Sequence, residues 1–132
     1  MVVVAIIGIL GGVAAARFGG LINKSKEGAT RGGLASVRSA LTLYYADNTF
    51  YPADDLSSLV QGRRYLDNLP LVKLPGTNHP ENPHVTVGAS TAAAVTDTGG
   101  WAYVNDPASP DFGTLLINCT HADSAGKIWG AQ

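Results

Sequence analysis

The stretch MVVVAIIGILGGVAAA, Met1 to Ala16, contains no charged and no polar side chain. Arg17 follows, and with it a longer segment that bears lysine and arginine. A helix that is apolar on every side must be covered by lipid, by a large core or by other helices. At about 1.5 Å of rise per residue the run covers about 24 Å. A bilayer core is about 30 Å thick and is usually spanned by about 20 apolar residues. Phe18, Leu21 and Ile22 prolong the apolar character on part of the surface only. A secretory signal peptide carries positive residues ahead of its apolar run, and here none precedes it. Ala14-Ala15-Ala16 imitates a cleavage site, yet the residues beyond it read as more helix rather than a new start.

Beyond Arg17 the apolar residues fall into a stripe. Leu34, Val37, Leu41 and Tyr44 repeat at helical spacing, with Arg31, Arg38 and Asp47 on the opposite face. One helix from near Met1 to about Asp47 is expected, about 70 Å long. A domain of about a hundred residues cannot cover all of it. Asp47-Asn48 and Pro52 mark its end, the proline forcing Tyr51 out of helical space. The glycine pairs Gly11-Gly12, Gly19-Gly20 and Gly32-Gly33 are soft points, each glycine costing up to about 1 kcal/mol against alanine. Gly8 and Gly12, and Gly28 and Gly32, have the spacing that lets helices approach closely.

Residues from about Phe50 to Pro83 form a connector rich in proline: Pro52, Pro70, Pro75, Pro80 and Pro83. Asp54 to Val60 reads as a short capped helix ended by Gly62. His79 and His84 stand beside prolines in a polar stretch and read as surface loop residues. From His84 onward the chain reads as strands at His84–Val87, Gly100–Val104, Gly113–Thr120 and Lys127–Trp129. Asp123 to Gly126 is the hairpin turn between the last two. The expected fold is α+β, a long N-terminal helix packed on a small C-terminal antiparallel sheet. Trp101, Tyr103 and Trp129 belong to its core. Residues 1–24 are the protruding apolar half of the helix, and residues 25–132 are the head.

The net charge of −1 conceals an asymmetry. Residues 1–38 sum to +4, through Arg17, Lys24, Lys26, Arg31 and Arg38 against Glu27. Residues 39–132 sum to −5. Such a stem and head attract each other in a staggered stack of copies, or are ordinary solvated charges; the sequence does not separate the two. The basic residues are too few, and too far from aromatics, for a nucleic-acid surface.

No catalytic motif is found, and the chain is expected not to be an enzyme. Cys119, the one cysteine, reads as a buried inert thiol. With His121 alone it falls short of the three or four ligands a zinc site needs. Asp97, Asp106, Asp111 and Asp123 lie in C-terminal loops of a kind that can wrap calcium. Their turn-forming role is the preferred reading, and no cofactor is expected. Asn118-Cys119-Thr120 fits a glycosylation sequon, but its strand position argues against use.

Met1 to Leu10, with the continuation through Ala14-Ala15-Ala16-Arg17-Phe18, resembles the N-terminal helix of type IV pilins and type II secretion pseudopilins. The layout of helix, connector and small sheet is similar to theirs. Gly99 to Tyr103 and Gly126 to Trp129 look more weakly like the tails of short pilins and major pseudopilins. The family's initial methylated phenylalanine and following glutamate are absent, as is its basic leader, which points to a chain missing its first residues. Ala16 stands where many members have proline, and Cys119 lacks the partner of their C-terminal disulfide.

The resemblance implies a structural subunit that waits in the inner membrane and is polymerised by assembly machinery into an extracellular helical filament. Val3, Ile6, Ile7, Gly8, Ile9, Leu10 and Gly12 would form the filament core, and Leu34, Val37, Leu41 and Tyr44 would hold the head on the stem. The partners are thus copies of the same chain. A periplasmic pseudopilus or a minor pilin at a filament tip is the alternative within the family. A monomeric membrane-anchored binding module is the alternative outside it. Phe18, Tyr44, Tyr45, Phe50 and Tyr51 lie mostly on the expected core face, which argues against an electron-conducting role.

Overall fold

The computed structural model describes the backbone of residues 1–132 and the side chains of all but residues 15–17. A single helix, α1 (Val2–Asn48), runs through every glycine of its sequence. Thr49 ends it in the left-handed conformation, with its N–H donating to Tyr45 O at 2.7 Å. The Asn48 side chain adds a bond to Tyr44 O at 2.9 Å. The bond to Tyr45 O uses a carbonyl that the last helical turn would leave unpaired.

The connector holds one short helix, α2 (Ser57–Val60), which runs on into a 3₁₀ turn at Gln61–Arg63. The Asp54 carboxylate accepts the N–H groups of Leu56 and Ser58 at 2.9 and 3.1 Å and so starts α2. Three strands come next, β1 (Val85–Gly88), β2 (Trp101–Val104) and β3 (Leu115–Ile117), with a helical turn, α3 (Thr91–Ala94), between the first two. The Ser90 hydroxyl caps α3 through Ala93 N–H.

The sheet order is β1-β2-β3. β2 pairs antiparallel with β3, but β1 pairs parallel with β2, Val85 opposite Trp101 and Gly88 opposite Val104. The sheet is therefore mixed, not antiparallel as expected. The reason is the crossover through α3: a parallel return needs about a dozen residues, and residues 89–100 supply them. α3 lies directly on the strand it leaves, since a Cβ on Gly88 would come within 2.5 Å of Ala94 N.

Lys127–Trp129 is not a strand. A lone antiparallel bridge joins Ala122 and Ile128, and Trp129–Ala131 then winds into a 3₁₀ turn. Gly130 N–H donates to Cys119 O at 2.8 Å, turning the chain back onto the end of β3.

β2 is buried along its whole length, which is why it reads as continuously apolar. One face of the sheet meets α1 in a core that includes Leu34, Val37, Leu41, Leu59, Trp101, Tyr103, Ile117 and Trp129. The other meets α3 through Ala94, Ala102 and Val104. Trp101 Nε1–H donates to Pro70 O at 2.9 Å, and Tyr103 O–H donates to Pro52 O at 2.6 Å, so both rings tie the connector to the sheet. Gly33 is where the connector presses closest on α1: a Cβ there would lie 3.1 Å from the Pro70 ring.

α1 is clasped to the head along residues 26–38. Lys26 pairs with Glu81 at 2.7 Å. Glu27, almost fully buried, accepts the backbone N–H and the hydroxyl of Ser124 at 3.0 and 2.7 Å. The Thr30 hydroxyl donates to Lys73 O and accepts Lys73 N–H. Arg31 is paired with Asp123, and Arg38 donates to Leu115 O and Gln132 O at 2.8 and 2.7 Å.

Candidate functional site

Two features stand outside ordinary domain packing. The first is the free half of α1. Val2, Val3, Val4, Ile6, Ile7, Ile9, Leu10, Val13, Phe18, Leu21 and Ile22 each expose more than half of their surface. An 18-residue window in this helix has mean hydropathy 2.1, and among the described residues none of it is buried. The helix is long and apolar enough to cross a membrane. Burying one such side chain is worth about 1.5–3 kcal/mol, so the stem withholds on the order of 20 kcal/mol of burial, an upper bound. That exceeds the net stability of most small domains, about 5–15 kcal/mol. Gly8, Gly11, Gly12, Gly19 and Gly20 have nothing within 4 Å of the position a Cβ would take, so helix backbone can be approached there.

Val3, Ile6, Ile7, Gly8, Ile9, Leu10 and Gly12 all lie on this free half. Leu34, Val37 and Leu41 are buried in the main core, and Tyr44 packs against it. Phe18, Tyr45 and Phe50 are exposed, contrary to the core-face reading: Phe18 lies on the free half of α1, Tyr45 on a face of α1 turned away from the core, and Phe50 in the bend that follows the helix. They still touch neighbouring rings: Tyr45–Tyr51 centroids are 4.8 Å apart, and Tyr44–Phe50 centroids 6.2 Å.

The second feature is a cluster in the head. His79 from the connector, Asp97 from the loop before β2, and Cys119 and His121 from beyond β3 present one ligand atom each, all within 4.8 Å of one another. His79 Nε2 lies 3.3 Å from His121 Nδ1 and 3.3 Å from Asp97 Oδ1. His121 Nδ1 lies 3.4 Å from Asp97 Oδ1 and 3.4 Å from Cys119 Sγ. The surface-loop reading of His79 fails: its side chain is 12% exposed, turned inward against Gly99. A Cβ on Gly99 would meet His79 Cβ at 3.0 Å, and Gly99 has φ +81°, so glycine is needed there twice over. His84 does remain exposed.

Asn118 positions the cluster from below. It is fully buried. Its Oδ1 accepts the N–H groups of Thr96 and Asp97 at 2.7 and 2.9 Å. Its Nδ2 donates to the hydroxyls of Thr86, Thr96 and Thr98. This holds Asp97 at φ +60°, a conformation aspartate tolerates better than most residues. It also removes Asn118 from the reach of glycosylation while the chain is folded. Asp97 Oδ1 accepts Thr120 N–H at 2.7 Å, which with burial opposing it holds the Asp97 carboxyl below the usual carboxylate range. Burial pushes the Cys119 thiol up, offset in part by the His121 N–H that points at its sulfur at 3.3 Å.

The other acids of the C-terminal loops do not join Asp97. Asp106 accepts Ala108 N–H, Asp111 accepts the Thr91 hydroxyl, and Asp123 accepts Ala125 and Lys127 N–H inside its hairpin. Asp106 and Asp123 thus hold their own turns, while Asp111 ties its loop to the start of α3. Searches against family models, curated proteins and solved structures found no match to this chain.

Proposed function

We propose that the chain is the structural subunit of a type IV pilus-like filament, held in the inner membrane before assembly and polymerising outward through the free half of α1. The observation that carries this reading is the stem itself: apolar on every side, unburied, and continuous with a helix locked into the head. The pilin-like opening sequence supports it, as does the order of long helix, connector and small sheet.

The energetics favour a transfer from lipid to a bundle of like helices. Lipid tails and leucine-rich helices are similarly apolar, so little burial is lost on leaving the membrane. Open glycine positions on the stem favour close approach of neighbouring backbones. Catalysis has no part in the proposal.

Ile7→Asp tests it. An unpaired carboxylate buried in such a bundle costs several kcal/mol. Filaments visible by electron microscopy in the parent should disappear in the variant, while a fragment from about residue 25 keeps its circular dichroism and melting transition. Filaments of normal abundance from Ile7→Asp would overturn the proposal. So would a parent chain that stays strictly monomeric after gentle detergent extraction, the behaviour of an anchored binding module. Short periplasmic assemblies in place of surface filaments would replace the pilus by a pseudopilus.

A further inference from the structure

We infer that His79, Asp97, Cys119 and His121 form a four-ligand site for a divalent transition metal of the zinc class. The filament reading is not needed for this, and its failure would leave the site untouched.

Geometry separates a metal site from a hydrogen-bonded cluster. Charge-assisted N–H···O bonds are about 2.7–2.9 Å long. The histidine–carboxylate contacts here are 3.3 and 3.4 Å, and the histidine–histidine contact is 3.3 Å. Nitrogen and oxygen ligands about 2.0–2.1 Å from a tetrahedral ion lie about 3.3 Å from each other, and sulfur at about 2.3 Å lies about 3.6 Å from such a nitrogen. Four of the six spacings follow the edges of that tetrahedron, including 3.4 Å from Cys119 Sγ to His121 Nδ1, and the two from Cys119 Sγ to His79 and Asp97 stay within 4.8 Å, so binding would draw the sulfur inward.

The chemistry of the donors agrees. Two neutral imidazoles, one thiolate and one carboxylate carry a formal charge of −2, which a divalent ion cancels. Nitrogen and sulfur donors select zinc-like ions over calcium or magnesium. The outer contacts also fit. Thr120 N–H orients the carboxylate, His121 N–H points at the sulfur, and Asn118 fixes the loop that carries Asp97. Such partners orient metal ligands and tune their affinity. Four protein ligands make the site structural rather than catalytic.

Its consequence is a cross-link. The ion joins the connector, the loop before β2 and the end of β3, closing a loop from His79 to His121, residues 42 apart. Metal binding to such a site contributes directly to folding.

The test uses the full chain in detergent micelles, with its thiol reduced. Cobalt(II) should bind one per chain, giving the thiolate-to-cobalt charge-transfer band and the intense visible bands of tetrahedral cobalt, and zinc should erase both. Zinc should raise the melting temperature of the head. His121→Ala, at a half-exposed position, should weaken zinc binding by about 100-fold or more, beyond the 10- to 100-fold typical of outer contacts. It should also abolish the zinc-induced rise in melting temperature. Asp97→Asn keeps the backbone bonds of Asp97 and should weaken zinc binding likewise. Cys119→Ser should remove the charge-transfer band; if burial of the serine prevents folding, the other two variants decide. No charge-transfer band at saturating cobalt, or equal zinc affinity in the parent and in folded His121→Ala, would overturn the site.

Discussion

Tyr103 shows how much one side chain can bind together. Its ring lies in the core beneath α1, and its hydroxyl donates to Pro52 O, anchoring the start of the connector. Burial, then the nearby Asp54 carboxylate, raises its pKa well above the ordinary tyrosine value. The neutral phenol is thus favoured in the folded chain. That contribution is complete below about pH 10, the unfolded value, and is lost as pH rises above it toward the folded value. Tyr103→Phe should cost about 1–2 kcal/mol at neutral pH, the worth of the bond and its stranded carbonyl. It should also flatten the alkaline loss of stability by up to one proton's slope, read from denaturant midpoints between neutral and strongly alkaline pH. The buried rings were legible in the sequence because β-branched and aromatic residues flank them. The inward turn of His79 was not, because its cause is Gly99, a residue twenty positions further along the chain.

At the scale of elements, α1 is the part that sequence pattern describes best. Its apolar opening, its 34-37-41-44 stripe and its Asp47-Asn48 ending all use local signals, and the helix ends within a residue of the expected place. The sheet depends on long-range pairing instead. Nothing in Val85–Gly88 distinguishes a parallel neighbour from an antiparallel one, and the deciding helical turn, Thr91–Ala94, is too short to show periodicity. The metal-type cluster was hidden for the same reason: two of its ligands come from loops whose meeting depends on that crossover. α1 also ends on a residue poorly suited to its conformation. Thr49 sits at φ 66°, which costs a residue with a side chain about 1–2 kcal/mol. Thr49→Gly relieves that strain, less the entropy glycine adds to the unfolded chain, and should raise stability by about 0.5–1 kcal/mol, seen as a higher denaturant midpoint with an unchanged slope.

For the whole molecule, the charge asymmetry between stem and head loses part of its meaning once the chain is folded. Lys26 and Arg31 meet Glu81, Glu27 and Asp123 of their own chain, so these charges are engaged before any neighbour arrives. In the filament proposed above, assembly through the stem should then depend on apolar contact more than on charge. Filaments sedimented at low and at high ionic strength should be recovered in similar yield, since salt screens surface charge but leaves apolar burial intact. A mild detergent should dissolve them. A several-fold loss of filament in high salt alone would show that charge pairing between copies dominates.

The clasp along residues 26–38 has a mechanical consequence. It begins just beyond the free stem, and its bonds to Glu81, Ser124, Lys73, Asp123 and Leu115 fall within a few turns of one helix. A stem gripped by its surroundings while the head is tugged would load these bonds together, in shear, rather than opening them one after another. Tension would travel down α1 into the clasp and reach the sheet through the Arg38 bond to Leu115 of β3. The chain's resistance to being pulled apart would then be set by how slowly that clasp ruptures, and the sheet would keep its shape until it did.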